Sequence, residues 1–170
     1  MKKFIALGAA LLVVAASAAG LASASGRSTS IGLDVYYLEN SIRGDQFEIL
    51  GGKYMVKKAQ SAKVRALAAR LVKDHTSSMR DAIAVAHEMN IHLLISPTAS
   101  QQWELQQVYF ASTSNKDAVY TNLEVADHRD DIADTQDEIQ MGGSSLVRNL
   151  AKQDLPMLQT HLALAKAARP

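Results

Sequence analysis

Three of the five histidines in this 170-residue chain, His75, His128 and His161, fall where apolar periodicity places the buried stripes of three different helices. Imidazoles turned into a core, joined by carboxylates, make a donor set suited to zinc, iron, manganese or copper. Carboxylates are at hand. Glu124 and Asp131 flank His128 at i−4 and i+3 on its own helix, within ligand reach or close behind the ligands. Glu48 precedes His75 by one helical hairpin. The helical rise puts His75 about 21 Å and Glu48 about 18 Å from a turn near residue 60. It puts His128 about 22 Å and His161 about 27 Å from a turn near residue 143, all near the middle of helices about 40 Å long. The expected site is therefore Glu48, His75, Glu124, His128 and His161 around a transition-metal ion, with Asp131 in support.

Other chemistries lack their residues. With no cysteine, the chain has no disulfide, thiolate site or cysteine nucleophile. Ser77 and Ser78 lie in a helical pattern without the Gly-rich elbow of a hydrolase. Phosphate loops and Gly-turned calcium loops are missing. A di-metal carboxylate bundle takes a Glu-x-x-His pair from each of two helices. Here Glu124 and His128 are four apart, and no glutamate precedes His75 by three. His87 and His92 sit near a helix end and read as solvent-facing. The series Asp127, Asp130, Asp131, Asp134, Asp137 and Glu138 reads most simply as a solvated helix face.

The elements that must position these groups are all helical. Val35, Leu38, Ile42, Ile49, Val56 and Ala59 mark a first long helix, with Asp45 on the same stripe. Gly51-Gly52 inside it lowers helix propensity by about 1 kcal/mol per glycine, which predicts close packing against another backbone. Ser61 caps a second helix with Val64, Leu67, Ala68, Leu71, His75, Met79, Ala82, Ala86 and Met89 inward. Thr98 and Gln101 form a capping box for a short crossover helix through Trp103, Leu105, Val108 and Phe110. A fourth helix starts near Ser114, buries Thr121, Val125, His128, Ile132, Thr135 and Ile139, and ends at Gly142-Gly143. Ser144 caps a fifth, with Val147, Ala151, Asp154, Leu158, His161, Ala165 and Ala168 inward and Pro156 predicted to kink or restart it. The fold class this predicts is all-α, an antiparallel four-helix bundle with a short crossover helix.

Ahead of the helical domain, Lys2 and Lys3, an apolar run from Phe4 to Ala16 and Ala22-Ser23-Ala24 have the layout of a secretory signal cleaved after Ala24. Residues 25–32 read as a Gly/Ser-rich spacer and residues 33–168 as the bundle domain. Cleavage removes two of the 18 basic residues and leaves a near-neutral chain against 17 acidic ones, which points to no nucleic-acid partner. No later segment has membrane-spanning length, so the expected place is the periplasm or the exterior. A homo-oligomer is left open.

Tyr37-Leu38, Phe47-Glu48-Ile49, Lys58-Ala59, Leu71-Val72-Lys73-Asp74-His75-Thr76, His128, and Leu155-Pro156 with His161-Leu162 resemble a family of exported bacterial ferritin-like proteins. That family is a domain of unknown function whose members are often labelled outer membrane proteins by prediction. The resemblance covers roughly residues 33 to 167. It implies a ferritin-like bundle and matches Glu48, His75, His128 and His161 to the family's recurrent polar positions; it implies no catalysis. Asn115-Lys116-Asp117-Ala118-Val119-Tyr120 stands where the family's Gly-Phe-Asp segment is expected. The alternating strands of about 10 residues that a membrane barrel needs are not in the pattern. Two functions remain open: a non-enzymatic envelope protein whose polar cluster fixes helix register, or a mid-bundle metal-binding protein with a redox or stress role.

Overall fold

The computed structural model describes the backbone of residues 19–170 and the side chains of residues 31–170. Five helices and no strands occur among the described residues: α1 (Ala19–Lys58), α2 (Ala62–Glu88), α3 (Ala99–Phe110), α4 (Thr113–Met141) and α5 (Ser145–Ala168). Most of the expected signal peptide lies outside the described residues. Residues 25–32, expected as a spacer, are continuous with α1; their serines and glycines weaken a helix, but no proline stands there to stop it.

The long helices run antiparallel to their neighbours. Along α1 and α2, Asp45 meets His75 while Gly52 meets Ala68 and Val72, so the two chains run in opposite senses. α4 packs on α1 and α5, α5 also packs on α2, and α3 leans on α1 and α4 as the chain crosses to the start of α4. No helix among the described residues is long and apolar enough to cross a membrane.

Local chemistry sets the helix ends. Thr98 and Gln101 form the expected capping box on α3, and Ser61 Oγ accepts from Lys63 N at the start of α2. α2 closes on Asn90 at φ 56°, with Ile91 N donating to Ala86 O at 2.8 Å, a left-handed cap that asparagine tolerates. Lys116 is buried beyond the end of α3, its Nζ donating to Val108 O at 2.7 Å and Tyr109 O at 2.8 Å, so a cation meets the negative end of that helix.

Two aspartates cap helices other than their own. Asp117 of α4 accepts from Gln60 N and Ser61 N at the α1–α2 turn. Asp34 of α1 accepts from Gly143 N and Ser144 N at the α4–α5 turn. Ser144 occupies the expected N-cap position of α5, but its side chain makes no capping bond; the carboxylate of Asp34 takes over that role.

The apolar core divides in two. Met55, Val64, Leu67, Leu71, Val108, Tyr120 and Val125 pack near the α1–α2 turn. Tyr37, Leu38, Ile42, Ala82, Val147 and Leu150 pack towards the other end. Several expected core positions differ. Val56, Trp103 and Phe110 are exposed, because α1 turns Met55 inward and α3 lies at the margin of the packed helices, covering only Leu105 and Val108. Pro156 neither stops nor restarts α5, which runs on through it; Pro156 and Lys152, whose carbonyl loses its helical partner there, are both exposed residues.

The glycine pair acts as expected at one position. A Cβ on Gly52 would lie 2.6 Å from Val72 Cγ2 and 3.0 Å from Ala68 O, whereas one on Gly44 would meet only Gln101 Nε2 at 3.9 Å. Gly52→Leu is expected to lower unfolding free energy by about 1–3 kcal/mol through overpacking. Gly44→Ala should raise it by up to about 1 kcal/mol through helix propensity. Urea titrations of both variants check the pair; equal effects would contradict the close α1–α2 approach.

Candidate metal centre

Between the two apolar clusters the helices enclose a polar layer. His75 from α2, His128 from α4 and His161 from α5 are buried, with ring centroids 5.1 to 5.6 Å apart. Each ring has one nitrogen tied to an acceptor. His75 Nδ1 lies 2.6 Å from Asp45 Oδ1, His128 Nδ1 lies 2.9 Å from Glu124 O, and His161 Nε2 lies 2.9 Å from Asp74 Oδ2. The remaining nitrogens, His75 Nε2, His128 Nε2 and His161 Nδ1, have no hydrogen-bond partner among protein groups.

This is the arrangement that metal-bound histidines adopt. An outer N–H held by a carboxylate or carbonyl fixes tautomer and ring orientation and leaves the inner lone pair free. The three residues each offer a ring nitrogen within 4.8 Å of the others. Tetrahedral coordination at about 2.0–2.1 Å places nitrogens about 3.3 Å apart, so the rings need close by no more than about 1.5 Å.

A carboxylate wall adjoins the triad. Glu48, Asp127 and His128 form a second group with ligand atoms within 4.8 Å, sharing His128 with the first. Both Glu48 oxygens, Glu124 Oε2 and Asp127 Oδ2 are buried without a partner. Glu48 Oε1 and Glu124 Oε2 each lie 3.7 Å from His128 Nδ1. No lysine or arginine pairs with these three carboxylates among the described ion pairs, so a cation would relieve a large burial cost.

Protonation follows burial and pairing. Burial, then the charges of His75 and His161, push His128 down to about 3. Burial and His75 push His161 down to about 4 against the pull of Asp74. Burial works to lower His75 too, but the hydrogen-bonded Asp45 outweighs it and holds the imidazole above its ordinary value. Burial raises Glu124 to about 8, and raises Glu48 well above the carboxylate range with the charge of Glu124 adding to it.

The sequence-predicted residues are largely brought together: His75, His128 and His161 form the triad, and Glu48 and Glu124 stand beside it. Asp131 belongs to neither ligand group; it lines an adjoining cavity that His75 also lines. The acidic series of α4 divides rather than forming one solvated face. Asp130 and Asp137 are exposed, while Glu138 and the ends of Asp127 point inward, since α4 packs on both α1 and α5 and buries more than one stripe. His87 and His92 are exposed as expected. Asp45, Asp74 and Asp127 are the site residues that the sequence reading left out. Asp45 carried a signal, a carboxylate on a buried stripe; Asp74 and Asp127 each precede a triad histidine by one residue, off that stripe.

An all-helical protein with a buried cluster of three imidazoles and adjoining carboxylates is the class that fold and site define. Residues 17–168 match the family described as Domain of unknown function (DUF4142), and the chain belongs to that family. Comparison with curated proteins and with solved structures returned no match.

The pH dependence of the metal-free protein follows from these shifts. Glu124, with its folded value raised to about 8 from 4.5, and Asp154, raised to about 7 from 3.8 chiefly by burial, keep protons that the unfolded chain has lost. Their stabilising contribution is full below the unfolded values and is lost as pH rises; His75, raised above 6.5, has the same sign. His128 and His161, lowered, act in the opposite direction, but only as pH falls through and below 6.5. Thermal unfolding in the presence of a chelator should therefore show a midpoint that falls between pH 6.5 and 8, less steeply in Glu124→Gln. A midpoint that rises across that interval would contradict the assigned protonation states.

Proposed function

We propose that this protein is a metal-binding protein whose ion is held by His75, His128 and His161, in an antiparallel four-helix bundle of ferritin-like type. The observation that carries the reading is the set of three buried ring nitrogens without partners, each on an imidazole whose other nitrogen is anchored. A polar cluster serving only to fix helix register would be expected to satisfy its members with one another, since an unpaired buried polar atom costs about 1–3 kcal/mol. Here each ring gives one nitrogen to an anchor and keeps the other unpaired.

Imidazole donors suit zinc, copper or iron, and the carboxylates of Glu48, Glu124 and Asp127 offset the charge of a divalent ion without lying in the histidine set. Such an ion supplies Lewis-acid or, for copper and iron, one-electron chemistry. The protein's own part is to hold three ring nitrogens in a buried, anchored cluster. Export by a cleaved signal, to the periplasm or the exterior, is proposed with it from the Lys2–Ala24 layout.

Protein purified without a histidine tag or chelator should carry about one transition-metal ion per chain by elemental analysis. His75→Ala, His128→Ala and His161→Ala should each lose it while retaining helical circular dichroism. At a free metal concentration a hundredfold above Kd the folded state gains about 2.7 kcal/mol, visible as a chelator-sensitive rise in Tm. Chains that remain metal-free after incubation with zinc, copper, iron and manganese, with an unmoved Tm, would leave the cluster a structural network.

A further inference from the structure

A cavity of about 30 Å3 opens between α1, α2, α4 and α5 beside His75, and its walls carry Asp45, Asp131, Asp134 and Asp154 with no lysine or arginine. We propose that this acidic cavity is the uptake vestibule of the metal centre, the place where a divalent cation is drawn from solution and held before it reaches the triad. The inference rests on the metal-binding reading above and adds the route and the sign of what can take it.

Three observations support it. The floor is made by Asp45 and His75, so the cavity touches a member of the triad directly. Asp45 is 4% exposed; its Oδ1 anchors His75 Nδ1, and its Oδ2 has no partner. One buried carboxylate therefore faces the histidine with one oxygen and has an acceptor to spare. The rim is partly exposed: Asn40, Asp134, Asp154 and Met157 are half-buried, with Asn40 Nδ2 donating to Asp134 Oδ2 at 3.2 Å and Tyr37 OH donating to Asp154 Oδ2 at 3.4 Å. Carboxylates thus run from the half-exposed rim to the buried floor.

Size and charge define the ligand. A space of about 30 Å3 admits roughly one water-sized particle, so an organic molecule is excluded. Ionised carboxylates lining a cleft with low-dielectric walls concentrate cations and accelerate their arrival by about 10–1,000-fold, an effect that salt weakens. Burial raises Asp131 and Asp154, the latter to about 7, so the attraction strengthens as they ionise above that pH. The carboxylates of Asp131 and Asp154 belong to neither cluster of ligand atoms drawn within 4.8 Å, so they stand outside the donor sets that would hold the ion.

The test is a loading time course. Metal-free full-length protein is mixed with zinc(II) at low ionic strength and at about pH 8, above the value to which Asp154 is raised, quenched with chelator at intervals and analysed for retained zinc. Asp131→Asn/Asp154→Asn is expected to load at least tenfold more slowly than the parent, to reach the same final zinc per chain, and to lose the parent's slowing by salt. If the double variant does not fold, Asp134→Lys at the half-exposed rim carries the same expectation. Loading within twofold of the parent with the same salt dependence would overturn the vestibule and leave the triad standing. Absence of retained zinc in the parent, and of other transition metals, would overturn the metal centre itself and the vestibule with it.

Discussion

Ionisable groups taken out of water must find compensation, and this constraint orders the whole interior. Glu48, Glu124 and the three histidines are essentially inaccessible, in a layer that separates two apolar clusters. The clusters supply the favourable term for folding, and the layer between them supplies none unless its charges are neutralised, paired or bound. Small residues let the helices close around it: Gly52, about two turns beyond Asp45, admits Ala68 and Val72 at close range. The polar layer and the tight hairpin are thus parts of one packing solution.

Within that layer the three imidazoles are not equivalent. His75 is paired to a buried aspartate, His161 to a half-exposed one that Arg70 also holds, and His128 to a backbone carbonyl. Their anchors lie on α1, on α2 and on α4 itself, so the anchoring of two of the three rings depends on how the helices sit together. A bond from His128 to its own helix is set locally by the four-residue spacing, whereas those of His75 and His161 form only when α1 docks on α2 and α2 on α5. The cluster is therefore built by tertiary packing around one locally fixed ring.

Much of this was legible in the sequence because helical periodicity states which side of a helix is buried, and a polar residue on that side is conspicuous. His75, His128, His161, Asp45 and Asp154 all stand on such stripes, and the rise per residue was enough to bring Glu48 and His75 to one level. The reading weakened wherever a helix has neighbours on more than one side. α1 touches α2, α4 and α3, so Asp34, Tyr37, Phe47 and Met55 are buried beside the stripe that was read, and Val56 on that stripe is not. The same width of burial on α4 turned Asp127 inward. Trp103 and Phe110 are the converse, large apolar residues on a short helix whose outer side nothing among the described residues covers. Anchors such as Asp74 were not legible, since their role depends on a contact 87 positions away in the chain.

The exchanged aspartate caps carry a consequence for how the chain comes together. Gln60-Ser61 and Gly143-Ser144 are the turns of two helical hairpins, and each has its amides satisfied by a carboxylate belonging to the other hairpin, at opposite ends of the molecule. Neither hairpin is chemically finished alone, so the two are not independent folding units: a half-chain would leave bare amides at its own turn and an idle carboxylate on its flank. Assembly is then a single mutual event, with both clasps closing as the hairpins dock, and local opening at one end loosens the hold on the other.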